Sequence, residues 1–382
     1  MSDIVLATFV VFFPILFLFV KERVRVMSKW STLIVCYVVG LAIGNIGILP
    51  SSSAGLLDTL SSVAVALSIP LLLFSVDFAQ WRKLSGKAIL TFALAALSVS
   101  VVGGIAYAFF RSTSAESYKV AGMLAGLYTG GTPNLAAIKT ALNVDMNVYL
   151  AVHTSDIVLS ALYLLAVMTI AKPVLRRFLP VKNWDSDGAS PTNLNFDTGF
   201  SEYFKKGQWK KILVGFGLAA AIVGLSLGLS SFIPADFQTM ATILLITSLA
   251  LGASFVPRIR ALPMTFATGE YFLYVFAVAV GAMGNIAQIF SSAGTYFIYV
   301  ALVLFGSFLL HAALCALFKI DVDTMLIVSV SAICSPPFVG LAAVSIKARK
   351  LILPGITTGI IGYAIGNYLG VALAELLKAI GG

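Results

Sequence analysis

Apolar runs of about 18 to 25 residues, each closed by a charge, a proline or a short polar turn, follow one another along the whole chain. That is the length an α-helix needs to cross roughly 30 Å of hydrocarbon. About twelve segments can be counted this way. Six lie at 4–20, 31–49, 55–76, 88–110, 120–142 and 149–171, and six at 212–231, 237–256, 264–290, 296–318, 324–346 and 351–377. Runs of this length are helices rather than barrel strands, so the pattern predicts an all-α, polytopic membrane bundle. The one long polar stretch, 172–211, contains the turn-rich NWDSDGASPTN between basic clusters. It divides the chain into a first transmembrane half (1–171), a polar connecting loop (172–211) and a second transmembrane half (212–382).

The halves are related. GGTPNLAAIK (Gly130 to Lys139) and SPPFVGLAAVSIK (Ser335 to Lys347) share a proline break, an LAA run and a lysine at matching depth. Internal duplication of this kind is a habit of transporters. Inverted repeats require an odd number of crossings between equivalent segments, whereas the fifth and eleventh segments are six apart. Either one assignment is off or a segment is re-entrant.

Composition fixes the solvent. Of 382 residues 59% are hydrophobic and 11% charged, more apolar sequence than a soluble core could absorb. The net charge of +9 concentrates in short loops such as 21–29 and 82–87, which points to membrane orientation and anionic lipid rather than nucleic acid. The long central loop carries basic residues too, so alternate loops do not settle the orientation. Cys36, Cys315 and Cys334 are scattered in apolar segments without metal or disulfide spacing, and read as packing residues. No basic residue precedes the first apolar run and no small-residue cleavage site follows it, so 4–20 reads as a span.

Candidate chemistry starts at the breaks. LYTGGTPNLAAIK puts two glycines and a proline in mid-span, where a helix loses backbone hydrogen bonds that only protein or a polar cavity can replace. Helix ends made inside a membrane carry partial charges, the means by which broken helices hold ions and anionic groups. Thr132 and Asn134 would add side-chain ligands; a simple kink filled by a neighbouring helix is the plainer alternative. Downstream, HTSDIVLS places His153, Thr154, Ser155 and Asp156 in an apolar segment, where ionisable residues are costly unless they line a cavity. Asp156 is the leading candidate to bind a coupling Na⁺ or H⁺; helix capping at the interface is its structural alternative. Glu270, Asn285, Asn45, Asp58, Asp77, His311 and Asn367 rank lower. Glu270 suits a helix start as well as a ligand, and a lone His311 in an apolar run is more often a packing residue. Gly355, Gly359, Gly362, Gly366 and Gly370 allow close packing of the last segment, with Asn367 beside them. There is no HExxH, phosphate loop or CxxC pair, so the chain does not read as an enzyme and no cofactor beyond a coupling ion is expected.

With GEYFLYVFAVAVGA between them, GGTPNLAAIK and SPPFVGLAAVSIKARKLILPGITTGIIGYAIGNYLG resemble the DUF819 family of bacterial membrane proteins over nearly the full length. That family is similar to the cation:proton antiporters and bile-acid-type symporters. The resemblance implies a scaffold domain, dimerisation through it, and a core domain where two broken helices cross. Gly130, Gly131, Thr132, Pro133 and Asn134 would then face Ser335, Pro336 and Pro337, with Asp156 where related antiporters keep an ion-binding acid. Residue 155 is Ser where many carry a second acid or Asn, a departure that bears on proton stoichiometry.

The resulting expectation is an ion-coupled secondary transporter of the bacterial inner membrane, working by alternating access on a small, anionic organic solute such as a carboxylate, amino acid or short peptide. Its ion site would draw on Asp156, Thr132, Asn134 and Ser155. Its substrate site would draw on 130–134, His153, Ser335–Pro337, Glu270 and Asn367. Cation/proton antiport resting on Asp156 is the alternative. An intramembrane enzyme built on His153 and Asp156, one helical turn apart, is a third reading that lacks a nucleophile motif.

Overall fold

The computed structural model describes residues 2–24, 27, 32–49, 53–76, 86–112, 114–182, 200–203, 208–284 and 286–381. Asp77 and Asn285 lie outside them. Its helices in chain order are α1 (Asp3–Arg23), α2 (Thr32–Asn45), α3 (Ser53–Leu73), α4 (Gly86–Phe110), α5 (Ser117–Gly130) and α6 (Thr132–Ala141). Next come α7 (Met146–Leu175, with a π-helical stretch at Val167–Ala171), the short α8 (Phe200–Tyr203), α9 (Gln208–Ser230), α10 (Ala235–Ser254) and the short α11 (Pro257–Arg260). The last are α12 (Thr265–Met283), α13 (Ile286–Leu317), α14 (Val322–Cys334), α15 (Val339–Ser345) and α16 (Ile352–Gly381). No strand occurs among the described residues, and nine of these helices are long and apolar enough to cross a membrane. The protein is a polytopic helical membrane bundle.

Two compact units interleave along the chain. The first is 1–76, 143–151 and 195–293; the second is 77–142, 152–194 and 294–382. In the first, α12 packs between α2 and α3. Glycines make the α2 contact close: a methyl on Gly40 would fall 2.3 Å from the Val278 carbonyl oxygen, and one on Gly281 would fall 2.5 Å from that of Tyr37. The ninth segment, expected to reach residue 290, stops at Met283. Asn45 causes the stop: its Nδ2 donates to the Gly284 carbonyl (2.8 Å) while its Oδ1 accepts from the Ile286 N–H (3.1 Å). One amide side chain thus serves both the end of α12 and the start of α13, and residues 286–290 belong to the longer helix.

In the second unit α5 lies along α16 on a stripe of glycines. Gly122 meets Gly370, Gly126 meets Gly366 and Gly130 meets Gly362, so the numbers rise on one helix as they fall on the other and the pair is antiparallel. A methyl on Gly362 would sit 2.0 Å from the Thr129 carbonyl oxygen, which no side chain permits.

Both predicted breaks are present, and each reverses the chain. Ile138 of α6 packs on Gly126 of α5, and the Asn134 amide lies beside Gly130. A helix continuing through the break would put Ile138 about 18 Å from Gly126, at 1.5 Å per residue. The second break behaves alike: Lys172 Nζ reaches both Asp323 (2.7 Å), at the start of α14, and the Ile346 carbonyl (2.6 Å), just past α15. The expected crossing of broken helices is therefore replaced by two re-entrant hairpins, α5–α6 and α14–α15. Ile327 and Ser331 of α14 advance along α16 with Gly355 and Gly359, so α14 runs parallel to α16 and the hairpins point in opposite directions. Five long helices, α7, α9, α10, α12 and α13, separate them. The parity conflict disappears, because neither hairpin crosses.

Lys172 clasps the base of the second hairpin, and Asp323 is almost wholly buried beneath it. Lys172→Ala leaves that carboxylate without its cation; a cost of about 3–5 kcal/mol is expected, read as a lower melting temperature in detergent. Pairing Lys172→Met with Asp323→Asn should recover most of it.

Charge is asymmetric within each unit. In the first, Lys21, Arg23, Lys210, Lys211, Arg258 and Arg260 all lie at the end where α1 stops and α9 and α12 start. That end is tied together by Ser201 to Glu22 and Tyr203 to Ala267. The opposite end has Asp58 and Asp145 and, among the described residues, no base. In the second unit Lys172, Arg176, Arg177, Lys182, Lys319, Lys347, Arg349 and Lys350 gather at the base of the α14–α15 hairpin. Arg111, Lys119, Lys139 and Lys378 lie at the base of α5–α6.

Candidate functional site

The hairpin tips meet inside the second unit. A methyl on Gly131 would fall 1.9 Å from Ser335 Oγ and 3.1 Å from its Cβ. Gly131 has φ 88° and ψ −168°, Ser335 φ 78° and ψ 160°. This corner of backbone space is nearly reserved for glycine, and holding another residue there costs on the order of 1–3 kcal/mol. Ser335 occupies it because the chain must reverse where α14 ends and the Pro336–Phe338 turn begins.

The residues following each tip remove backbone donors. Pro133, Pro336 and Pro337 have no N–H; the Asn134 and Leu135 N–H groups donate to the Gly131 carbonyl, and that of Phe338 donates to Ser335. Proline suits a first helical turn, whose N–H groups lack intrahelical acceptors and would be orphaned in an apolar interior. The same substitution leaves few donors for an anion, in contrast to the expectation that helix N-termini here would meet a carboxylate. Asn134 is buried, and its Nδ2 donates to the Gly362 carbonyl (2.9 Å) and toward Gly126 (3.5 Å), stapling α6 to α16 and α5.

Asp156 stands beside these tips. It is 6% exposed and accepts a hydrogen bond from Ser160 Oγ (2.7 Å). The Tyr128 hydroxyl, three residues before the first tip, approaches the same carboxylate, and Cys334, next to Ser335, lies close enough to feel its charge. Cys334 Sγ also approaches the Ser160 carbonyl (3.9 Å). One turn further, the hydroxyls of Tyr163 and Ser329 share a hydrogen bond (2.6 Å) between α7 and α14. Asp156, Ser160 and Tyr163 recur at i, i+4 and i+7, so one face of α7 presents them together. Tyr128 and Ser329 also line a small cavity with Ser307 and His311, with room for about one water molecule. His311 Nε2 bonds the Thr91 carbonyl (3.0 Å), the packing role expected of it.

The other candidates divide. Gly130, Pro133 and Pro336 are buried at the tips and Thr132 is half-buried. Pro337 forms the turn after Ser335. His153 and Ser155 are buried on α7, His153 one turn before Asp156. Asn367 is buried on α16 next to Gly366, against which Asn134 packs. Glu270 belongs to the first unit, on α12 beside Tyr203. Tyr128, Ser160, Tyr163 and Ser329 were not singled out from the sequence. The i, i+4, i+7 spacing from Asp156 could have found Ser160 and Tyr163, whereas Tyr128 and Ser329 become visible only once the hairpins fold back.

Two comparisons bear on this arrangement. The sequence matches the family described as protein of unknown function (DUF819) over residues 7–380. It is 26% identical, over 363 residues, to the uncharacterized membrane protein YjcL of Bacillus subtilis (strain 168), covering 92% of this chain and 90% of that protein.

Proposed function

The chain belongs to the DUF819 family, and from that premise we propose that it is an ion-coupled secondary active transporter moving a small organic solute by alternating access. The observation that carries this reading is the pair of oppositely directed hairpins, touching at Gly131 and Ser335 with the buried acid Asp156 alongside. Interrupted backbone at membrane depth needs protein or a polar cavity around it, and a fold that needed only to span the bilayer would have no use for two such interruptions. Each hairpin base opens toward one side, so parting the tips from either direction exposes the site to that side alone.

In this reading Asp156 binds the coupling Na⁺ or H⁺, with Ser155, Thr132 and Asn134 as further ligands. Once the tips part, the solute binds among 130–134, Ser335–Pro337, His153 and Asn367. Within the second unit the larger group of Lys and Arg lies at the base of the α14–α15 hairpin, and that base faces the cytoplasm of a bacterial plasma membrane, following the excess of Lys and Arg in cytoplasmic loops. The second hairpin then enters from inside and the first from outside. Two copies associate as a homodimer through the scaffold domain that the family resemblance implies. A second reading, exchange of a cation for a proton without an organic solute, is favoured by the prolines that take backbone donors for an anion away from the tips.

Reconstitution into proteoliposomes tests both. An imposed Na⁺ or pH gradient should drive uptake of at least one member of a panel of carboxylates, amino acids and short peptides. Gradient-driven cation exchange with no solute movement selects the second reading. No flux of ion or solute with correctly folded protein overturns the transporter assignment.

A further inference from the structure

We propose that the basic end of the first unit binds an anionic glycerophospholipid, its acyl chain in a groove between α1, α9 and α12 and its headgroup phosphate among the lysines above. The inference stands apart from the transport reading. The groove has a volume of about 240 Å³ and is walled by Ile15, Leu18, Ile212, Leu213, Phe216 and Phe272, the last two stacked with ring centroids 5.9 Å apart. Three hydroxyls also reach it, and each is engaged with backbone. Tyr203 donates to the Ala267 carbonyl (2.9 Å), Thr268 to Met264 (2.7 Å), and Tyr271 to Val11. The interior therefore offers a ligand hydrocarbon contact and little polar recognition, which suits an alkyl chain and excludes a polar solute.

The mouth has the opposite character. Lys21 and Arg23 follow Leu18 by about one turn at the end of α1, and Lys210 and Lys211 directly precede Ile212 at the start of α9. The Arg23 guanidinium lies over the Phe19 ring, 4.2 Å from its centroid. Two acids are near. Glu22 accepts from the Ser201 N–H and hydroxyl (3.0 Å each), and Glu270 sits beside Tyr203. The four bases outnumber these two acids. An apolar floor beneath a cationic rim, in a helix bundle that spans a membrane, is complementary to a molecule with an anionic head and an apolar tail. Basic clusters between spanning helices recognise anionic headgroups on this ground.

The test is native mass spectrometry of the full-length, delipidated protein titrated with phosphatidylglycerol and, separately, phosphatidylcholine. Phosphatidylglycerol is expected to bind at least about tenfold tighter. At ~1 kcal/mol for each basic residue near the headgroup, Lys210→Gln with Lys211→Gln should weaken phosphatidylglycerol binding about thirty-fold and leave phosphatidylcholine unchanged. Both lysines are exposed, so the fold is not at stake. Ile212→Trp fills the groove and should weaken both lipids. Equal binding of the two lipids, unchanged phosphatidylglycerol binding in the double lysine variant, or unchanged binding in Ile212→Trp overturns the proposal.

Discussion

Asp156→Asn is expected to abolish ion-dependent stabilisation and gradient-driven transport while leaving the fold intact. The substitution keeps the volume of the side chain. Its amide oxygen can still accept from Ser160 Oγ, which bonds the carboxylate at 2.7 Å in the native protein, and can still face the Tyr128 hydroxyl. What it removes is the charge, the one feature that draws a cation or carries a proton. A carboxylate buried to this degree is costly to hold ionised without a partner, so without a coupling ion the variant should melt no lower than the parent. A coupling cation present at a hundred times its dissociation constant stabilises the folded parent by about 2.7 kcal/mol, a shift of several degrees. The same titration on the variant should be flat. Thermal unfolding against Na⁺, Li⁺ and pH checks this, followed by flux in proteoliposomes. An ion-dependent shift of full size in the variant would remove Asp156 from the ion site and return it to a structural role on α7.

What could be read from the sequence, and what could not, follows from what each signal measures. Segment length and apolarity measure the cost of leaving backbone and side chains in lipid. The spans at 4–20, 88–110 and 212–231 accordingly match α1, α4 and α9 to within a few residues. The breaks at GGTPN and SPP were legible for the same reason, since glycine and proline in mid-span forgo helical hydrogen bonds. The direction of the chain after a break was not. A kink and a reversal begin with the same residues, and hydropathy summed over 120–142 or 324–346 is blind to the difference. Only long-range contacts, Ile138 against Gly126 and Lys172 against both Asp323 and Ile346, decide it. Asp156 could be suspected because an acid in an apolar run is expensive. Its neighbours Tyr128 and Cys334 could not, because a tyrosine and a cysteine cost little in such a run and their meeting with Asp156 depends on the hairpins. The interleaving of the two units, with 143–151 and 195–293 joined to the N-terminal helices, has no local sequence signature at all.

Gly131→Ala should be the most damaging single substitution in the site, and Ser335→Gly should partly repair it. The alanine methyl would meet Ser335 Oγ at 1.9 Å and its Cβ at 3.1 Å, while the next atom, Ser335 Cα, is 3.8 Å away. Two penalties act at once. One is the clash, which belongs to the pair. The other is the backbone at φ 88°, which belongs to residue 131 alone and costs about 1–3 kcal/mol for any side chain. Replacing Ser335 with glycine takes away the two clashing atoms and also relieves the strained φ of 78° at that position. Ser335→Gly alone should therefore be neutral or stabilising by about 1 kcal/mol, the relief being offset in part by the greater freedom of glycine in the unfolded chain. The double variant should be more stable than the sum of the two single changes by at least about 1 kcal/mol, with the backbone penalty of Gly131→Ala left over. Melting temperatures of the four proteins close this cycle, and transport read in parallel separates packing from chemistry. Ser335→Gly alone also deletes the one hydroxyl at the second tip. If it keeps its stability and loses flux, Ser335 contacts the transported species, and if it keeps both, the serine is there only to fill the gap above Gly131. Additive effects across the cycle would mean that the tips do not touch in the working protein, and the paired-hairpin account of the site would fall with them.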